Sequence, residues 1–388
     1  MIFHVHFSPS IDSGEIRRIR NINEEFAAKL SPDVLEIAFL SIPHCFLRSS
    51  KGFTLSEKVC KKLVIPTFPF RYKLLFFRWL NSIWMSLCLR FLALIYKPSH
   101  VVVEFSTGWE VLRFIGGSAR IIIDAHGASA AEYEYSNLSP KKCMSYYLLH
   151  TEIEGLRRAD YYICQSEAMK SYLGRVCGKK YEKKITVFQC NASPSCFRYD
   201  SKARAEMRKL LGVSDGEHVL IYSGGLHKWQ MIRESISMFL QYKRCNSNCK
   251  MLILTRESEA ARCVIHDVCG SERDDILVLS STYDQVYKYL NAADAGIVLR
   301  ENVLLNQVAS PTKLGEYIMT GLPVISNSVA KHWMRDDRFL FNLDTEEISS
   351  LHNFIDASNR EEVAEYGVCY HSLQLDINNI AKLIDDCK

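Results

Sequence analysis

The stretch Ser310-Pro311-Thr312-Lys313-Leu314-Gly315-Glu316-Tyr317, running on into Gly321-Leu322-Pro323-Val324-Ile325, decides how the rest of the chain is read. Ser310 is a good N-cap, and Pro311 suits the first helical position, where its missing N–H costs nothing. Gly321 and Pro323 stop the helix, and Val324-Ile325 opens a buried strand. The first helical turn is chemically unusual. Helix starts commonly carry Asp or Glu against the positive end of the dipole, whereas this one carries Thr312 and Lys313. An open helix N-terminus beside a lysine suits an external anion, most often a phosphate. Glu316, one turn further in, is placed to accept hydrogen bonds from hydroxyls next to that phosphate. A nucleoside diphosphate has this chemistry, with phosphate on the helix end and ribose on the carboxylate. A capped surface helix with solvated Lys and Glu side chains would show the same local residues.

Outward from this stretch, short β-branched or apolar runs alternate with helical patterns, the signature of doubly wound α/β architecture. In the first half, strands are expected at Ile2–Phe7, Val34–Leu40, Val101–Phe105, Ile121–Asp124, Tyr161–Cys164 and Thr186–Phe188. Helices are expected between them at Glu15–Leu30, Lys73–Tyr96 and Lys141–Arg158. After a turn-rich stretch around Pro194 the series restarts with a helix at Lys202–Leu211. Strands follow near Val219–Ser223, Met251–Thr255, Ile276–Leu279, Ala295–Leu299 and Val324–Ser326. A chain of 388 residues suits two domains. Residues 1–194 and 195–388 are expected to form two Rossmann-like domains facing across a central cleft, with the tail from about Glu361 helical. Ligands in such sheets bind beyond the carboxyl ends of the strands.

Composition narrows the function classes. A formal charge of +4 is mild and argues against a nucleic-acid binder. The 14 cysteines are scattered without metal-binding rhythm, so reduced thiols and no zinc site are expected. No basic-then-apolar leader opens the chain, and a cytoplasmic location is expected. The segment Tyr72–Tyr96 is apolar enough to test as a membrane span. At about 100° per residue, however, Arg71, Arg78, Ser82, Ser86, Arg90 and Lys97 fall on one side of the wheel. That stripe fits a core-packed helix with a solvated face, or a surface helix held against acidic lipid through its arginines.

The motif Ser-Pro-Thr-Lys-Leu-x-Glu-Tyr, followed by Gly-Leu-Pro-Val-Ile, resembles the donor-binding segment of family 4 glycosyltransferases, retaining enzymes of the GT-B fold. Other segments are similar to the same family, and the resemblance implies that the tail helix from about Glu361 crosses back to the first domain. Ser13-Gly14-Glu15 resembles its glycine-bearing phosphate or acceptor loop. Asp124-Ala125-His126-Gly127 resembles its Asp-x-His-Gly element, which implies that His126 contacts the transferred sugar. Ser223-Gly224-Gly225-Leu226-His227-Lys228 resembles its diphosphate loop, although Gly225 stands where many relatives carry Arg. Arg300 leaves the strand just before the Pro311 helix and could supply that guanidinium. The first of the family's paired glutamates is missing, since Val308 holds its place.

The resemblance implies transfer of a sugar from a nucleotide-diphosphate donor to a glycan or polyprenyl-linked acceptor, with retention and no metal or other cofactor. Lys228, Arg300, Ser310, Thr312, Lys313 and Glu316 are the expected donor-binding residues, Gly14, Gly224 and Gly225 the phosphate or acceptor loops, and His126 the catalytic residue. It also implies a role in cell-surface polysaccharide assembly, such as capsule or O-antigen, at the cytoplasmic face of the inner membrane. A nucleotide-sugar 2-epimerase and a non-catalytic pseudo-glycosyltransferase subunit are the alternatives the same residues allow.

Overall fold

The computed structural model describes residues 1–6, 34–42, 61–68, 75–104, 108–137, 141–189, 191–271, 273–334, 336–375, 378–379 and 382. The expected helix Glu15–Leu30 and the loop around Gly14 lie outside them. The chain divides into two compact units: Met1–Gln189 together with Asp376–Lys388, and Cys190–Leu375.

The first unit runs β1 (Ile2–His6), β2 (Val34–Ser41), β3 (Lys61–Thr67), α1 (Leu75–Tyr96), β4 (His100–Glu104), α2 (Trp109–Leu112) and β5 (Arg120–Asp124). It continues through α3 (Ser129–Ser136), α4 (Lys142–Arg158), β6 (Tyr161–Cys164), α5 (Glu167–Cys177) and β7 (Ile185–Val187). Its strands lie side by side in the order β3-β2-β1-β4-β5-β6-β7, every pair parallel. Parallel pairing requires crossovers that cover the sheet, and accordingly β1 and β4 are buried along their length. The sequence did not show β3. Its residues alternate exposed and buried and include Pro66, which a strand tolerates at a sheet edge.

The second unit runs α6 (Ser201–Leu210), β8 (His218–Ser223), α7 (Ile232–Cys245), β9 (Cys249–Leu254), α8 (Ser258–Cys269), β10 (Ile276–Leu279) and α9 (Tyr283–Ala292). Then come β11 (Ala295–Val298), α10 (Leu304–Gln307), α11 (Thr312–Met319), β12 (Val324–Ser326), β13 (Leu340–Asn342), α12 (Leu351–Ala357) and α13 (Arg360–Tyr370). The order is β10-β9-β8-β11-β12-β13, again all parallel. Alternate strand residues feed two cores, one on each face. Val219, Ile221 and Leu252 join α11 and α13 on one side, while Leu220, Tyr222 and Ile253 join α7 on the other. Helix α13 belongs wholly to this unit. Its Arg360 donates to the Thr320 carbonyl (2.9 Å) and to that of Ala293, and the Arg360 carbonyl packs where a Cβ on Gly321 would stand.

Helix α1 reverses the expected face. Its polar stripe points inward: Arg78, Asn81, Ser82 and Ser86 are buried, while Phe76, Leu87, Phe91 and Leu94 are exposed. Each inward polar group finds a partner. Arg78 grips the fully buried Glu110 with Nε to Oε1 at 2.5 Å and Nη2 to Oε2 at 3.3 Å. Ser82 donates to the Glu110 carbonyl (2.7 Å), and Ser86 accepts from the Phe114 N–H (2.8 Å). A wheel identifies which residues share a face; the partners supplied by α2 and the turn after it decide which way that face points. Arg90 and Lys97 do remain exposed.

Glu110→Ala would leave the Arg78 guanidinium buried without its carboxylate, a loss of about 3–5 kcal/mol. Chemical denaturation should show the first unit's transition moved to lower denaturant, while a surface control such as Glu154→Ala shifts it little. Equal midpoints for Glu110→Ala and wild type would contradict the buried pair.

Candidate functional site

Both sheets reverse their winding at one place, between β1 and β4 in the first unit and between β8 and β11 in the second. Loops leaving the two strands at such a point diverge, and the crevice at their carboxyl ends is where doubly wound sheets bind ligands. The sequence puts its charged residues at both points.

In the second unit, β8 ends at Ser223 and the chain turns through Gly224 at φ +144°, a conformation that favours glycine. The glycine is also needed for space, because a Cβ there would fall on the Lys313 ammonium. Lys313 comes from the first turn of α11 and passes its Nζ over the Tyr222 ring, 5.4 Å from the centroid. Lys313 as a whole is half-buried. Arg300, just past β11, is 7% exposed and donates Nη1 to the Leu299 carbonyl (2.8 Å). Asn327 holds its backbone, accepting from the Arg300 N–H (3.3 Å) and donating to its carbonyl (2.6 Å).

Among the described residues no carboxylate is in ion-pair contact with either cation. Glu316 acts on Lys313 only through longer-range attraction. Burial, reinforced by the neighbouring Arg300 charge, pushes Lys313 down from its ordinary 10.5 to about 7, with Glu316 opposing. Burial likewise lowers Arg300, against the pull of the Tyr222 and Tyr317 hydroxyls. Withdrawing cationic groups from water without a counter-ion in contact is costly.

The surrounding framework is stiff. Tyr317 lies flat on β11, where Gly296 leaves room for its ring, and its hydroxyl accepts from the Ser223 N–H (2.8 Å). The Tyr222 hydroxyl donates to the Gly225 carbonyl (2.5 Å), and Leu226 N–H donates to Glu257 Oε1 (3.1 Å). Gly225 thus serves the loop's backbone. Helix α11 starts one residue later than expected: Pro311, with extended ψ of 125°, occupies the cap position. Ser310 is therefore buried just ahead of the helix and is not its N-cap. The cap residue Pro311 makes no side-chain capping hydrogen bond at the N-terminal end of α11. Lys228 stands apart, exposed at the turn Lys228–Gln230.

In the first unit, His126 follows β5 with its side chain 5% exposed. Its Nε2 lies 2.5 Å from Glu104 Oε2, at the end of β4, and 3.9 Å from Asp124. The other Glu104 oxygen bonds Nε2 of His4 on β1. A chain His4–Glu104–His126 therefore crosses the switch point. Burial alone would raise the Glu104 carboxyl; the hydrogen bonds from His126 and His4 outweigh it and hold the group well below the usual carboxylate range. As a permanent carboxylate, Glu104 favours the proton on Nε2 of His126 and fixes the ring. Glu104, Asp124 and His126 have ligand atoms within 4.8 Å of one another, a spacing a cation could use, but a cation would have to part the His126–Glu104 hydrogen bond.

Sequence reading missed His4, Glu104, Tyr222 and Asn327. For the first two a signal existed: ionisable residues inside β-branched runs, His4 in β1 and Glu104 closing His-Val-Val-Val-Glu. Buried charges in parallel strands need partners, and these two have each other.

No protein-family model matches the sequence, and no curated protein matches it. Solved structures do. Sucrose-phosphate synthase from Thermosynechococcus elongatus superposes with a TM-score of 0.76 at 13% identity, covering 100% of this chain and 99% of that one. HepE from Anabaena, solved with UDP, gives 0.72 at 14% identity, covering 99% of each chain. The lipopolysaccharide outer core galactosyltransferase WaaB gives 0.62 at 15% identity, covering 98% and 99%. Over its full length the chain has the GT-B fold.

The enclosed ammonium has a pH signature. Below about pH 7, folded and unfolded Lys313 are both protonated and the burial penalty is fully present. Between about 7 and 10.5 the unfolded chain holds a proton that the folded chain has released, so stability rises with pH. Lys313→Met should stabilise the second unit at pH 6.5, and its advantage in urea unfolding should shrink by at most about 1.4 kcal/mol per pH unit toward pH 9. An advantage that does not vary with pH would show that the ammonium is solvated.

Proposed function

We propose that the protein is a glycosyltransferase that moves a sugar from a nucleoside-diphosphate donor to a glycan or polyprenyl-linked acceptor, with retention of anomeric configuration. The observation that carries this reading is the pair of neighbouring cations at the second switch point, buried Arg300 and Lys313 folded over Gly224, neither in ion-pair contact with a carboxylate among the described residues. A diphosphate supplies the charge they lack. HepE, which has the same fold, was solved with UDP and with UDP-glucose, and this supports a nucleotide-sugar ligand.

The chemical problem is charge. As the anomeric carbon becomes oxocarbenium-like, negative charge builds on the departing diphosphate. Arg300, Lys313 and the N-terminal end of α11 are fixed in place before reaction, so stabilising that charge requires no reorganisation. Lys313 is half-deprotonated near neutral pH when alone, and diphosphate binding would draw a proton onto it. Glu316 would accept from the ribose hydroxyls. His126, held by Glu104, would contact the transferred sugar, with Glu104 a positioning residue that acts through the imidazole. A phosphate oxygen of the leaving group would take the acceptor's proton, a route that uses no metal. We place the protein in the cytoplasm, at the inner face of the membrane, in assembly of a surface polysaccharide such as capsule or O-antigen.

The test is product analysis with nucleotide sugars and a polyprenyl-diphosphate-linked sugar acceptor, reading anomeric configuration by NMR. A retained glycosidic linkage is expected. Glu104→Gln should slow transfer about 100-fold by loosening His126, leaving nucleotide affinity unchanged. Conversion of the donor in the absence of acceptor would make the enzyme an epimerase instead. Tight nucleotide binding with no product from any donor would overturn catalysis.

A further inference from the structure

We infer that the outward face of α1 is a docking surface for an anionic lipid bilayer, and that the helix lies in the plane of that surface. At 1.5 Å per residue its 22 residues span about 33 Å. Along that length Phe76, Trp79, Leu87, Phe91, Leu94 and Ile95 are turned to solvent, Phe76 and Phe91 each 64% exposed and Leu94 66%. Monomeric proteins rarely expose a continuous aromatic and aliphatic strip of this size without a partner for it. The helix cannot hide it by rolling over. The Arg78–Glu110 ion pair and the bonds from Ser82 and Ser86 fix the opposite face inside the unit.

The same anchoring decides between lying on a bilayer and crossing it. By length and composition α1 could span a membrane. Crossing would pull Arg78 away from Glu110 and strip the serines of their partners, whereas lying flat leaves every one of those bonds intact.

Charge identifies the surface. From Lys58 to Val103 the sequence contains no Asp or Glu, and Arg90 on the helix and Lys97 just past its end are exposed. A second copy of the chain would bring Arg90 and Lys97 together with their like across a two-fold contact, and residues 58–103 offer no acid to answer them. Anionic headgroups answer them directly, at about 1 kcal/mol per basic residue near the surface. Trp79 and Trp84 fit the same boundary, each with an apolar ring and a polar N–H; Trp84 is already anchored by its indole N–H to the Pro66 carbonyl (2.9 Å). None of these residues belongs to the donor site, so the surface stands or falls independently of that assignment.

The experiment is co-sedimentation of the full chain with vesicles of phosphatidylcholine alone and of phosphatidylcholine mixed with phosphatidylglycerol, with tryptophan emission recorded in parallel. Binding to the mixed vesicles, with a blue shift, is expected, and binding at least tenfold weaker to phosphatidylcholine alone. Phe91→Ser/Leu94→Ser should lower mixed-vesicle binding at least tenfold while leaving circular dichroism and the thermal midpoint unchanged. Arg90→Gln/Lys97→Gln should abolish the preference for phosphatidylglycerol. Failure to bind either vesicle overturns the inference, as does equal binding to both. A concentration-dependent dimer that Phe91→Ser/Leu94→Ser dissociates, without vesicle binding, would assign the strip to a second copy instead.

Discussion

The proposed donor site depends on one electrostatic imbalance: Arg300 is buried and Lys313 half-buried, their charges act on one another, and among the described residues neither has a carboxylate in ion-pair contact. The fold bears this cost because it does not rely on these side chains for cohesion. Tyr317 and Gly296 lock α11 to the sheet, and Asn327 secures the backbone at Arg300, so the two cations are held in place by groups that need nothing from them. Under the proposed function such a site would be complementary to a diphosphate before it arrives, and binding energy need not be spent on ordering it.

The two units solve the same topological situation in opposite ways. Each has a doubly wound parallel sheet with a switch point, and each puts charge there. In the first unit the charge is internally balanced. Glu104 takes hydrogen bonds from His4 and His126 and is held firmly ionised. In the second unit it is left open. Under the proposed function the balanced cluster would orient His126 and the unbalanced one would attract a diphosphate.

Most of the architecture was legible because it is carried by local pattern. Short apolar runs gave nearly all the parallel strands within a residue or two, Tyr161–Cys164 and Ile276–Leu279 to the residue. Two strands were missed for physical reasons. β3 is an edge strand with Pro66 in it, and β13, Leu340–Asn342, is too short to show a period. The lysine and arginine of the second site could be read because their flanking glycines, prolines and strand ends mark them. What the sequence could not reveal was set by tertiary partners. The inward turn of Arg78, Ser82 and Ser86 depends on Glu110 and Phe114, and the grip on His126 depends on Glu104, 22 residues earlier on the neighbouring strand. Lys228 looked equivalent to Lys313 in the sequence; one is solvated on a turn and the other is enclosed, a difference that packing alone creates.

The most direct measurement is calorimetric titration with UDP, GDP, ADP and dTDP at pH 8, in two buffers of different ionisation enthalpy, on wild type and Lys313→Ala. The account predicts micromolar binding of one nucleotide, with proton uptake revealed by the buffer dependence, and loss of both affinity and proton uptake in Lys313→Ala. No binding by any of the four, or binding that Lys313→Ala leaves unchanged, would contradict it.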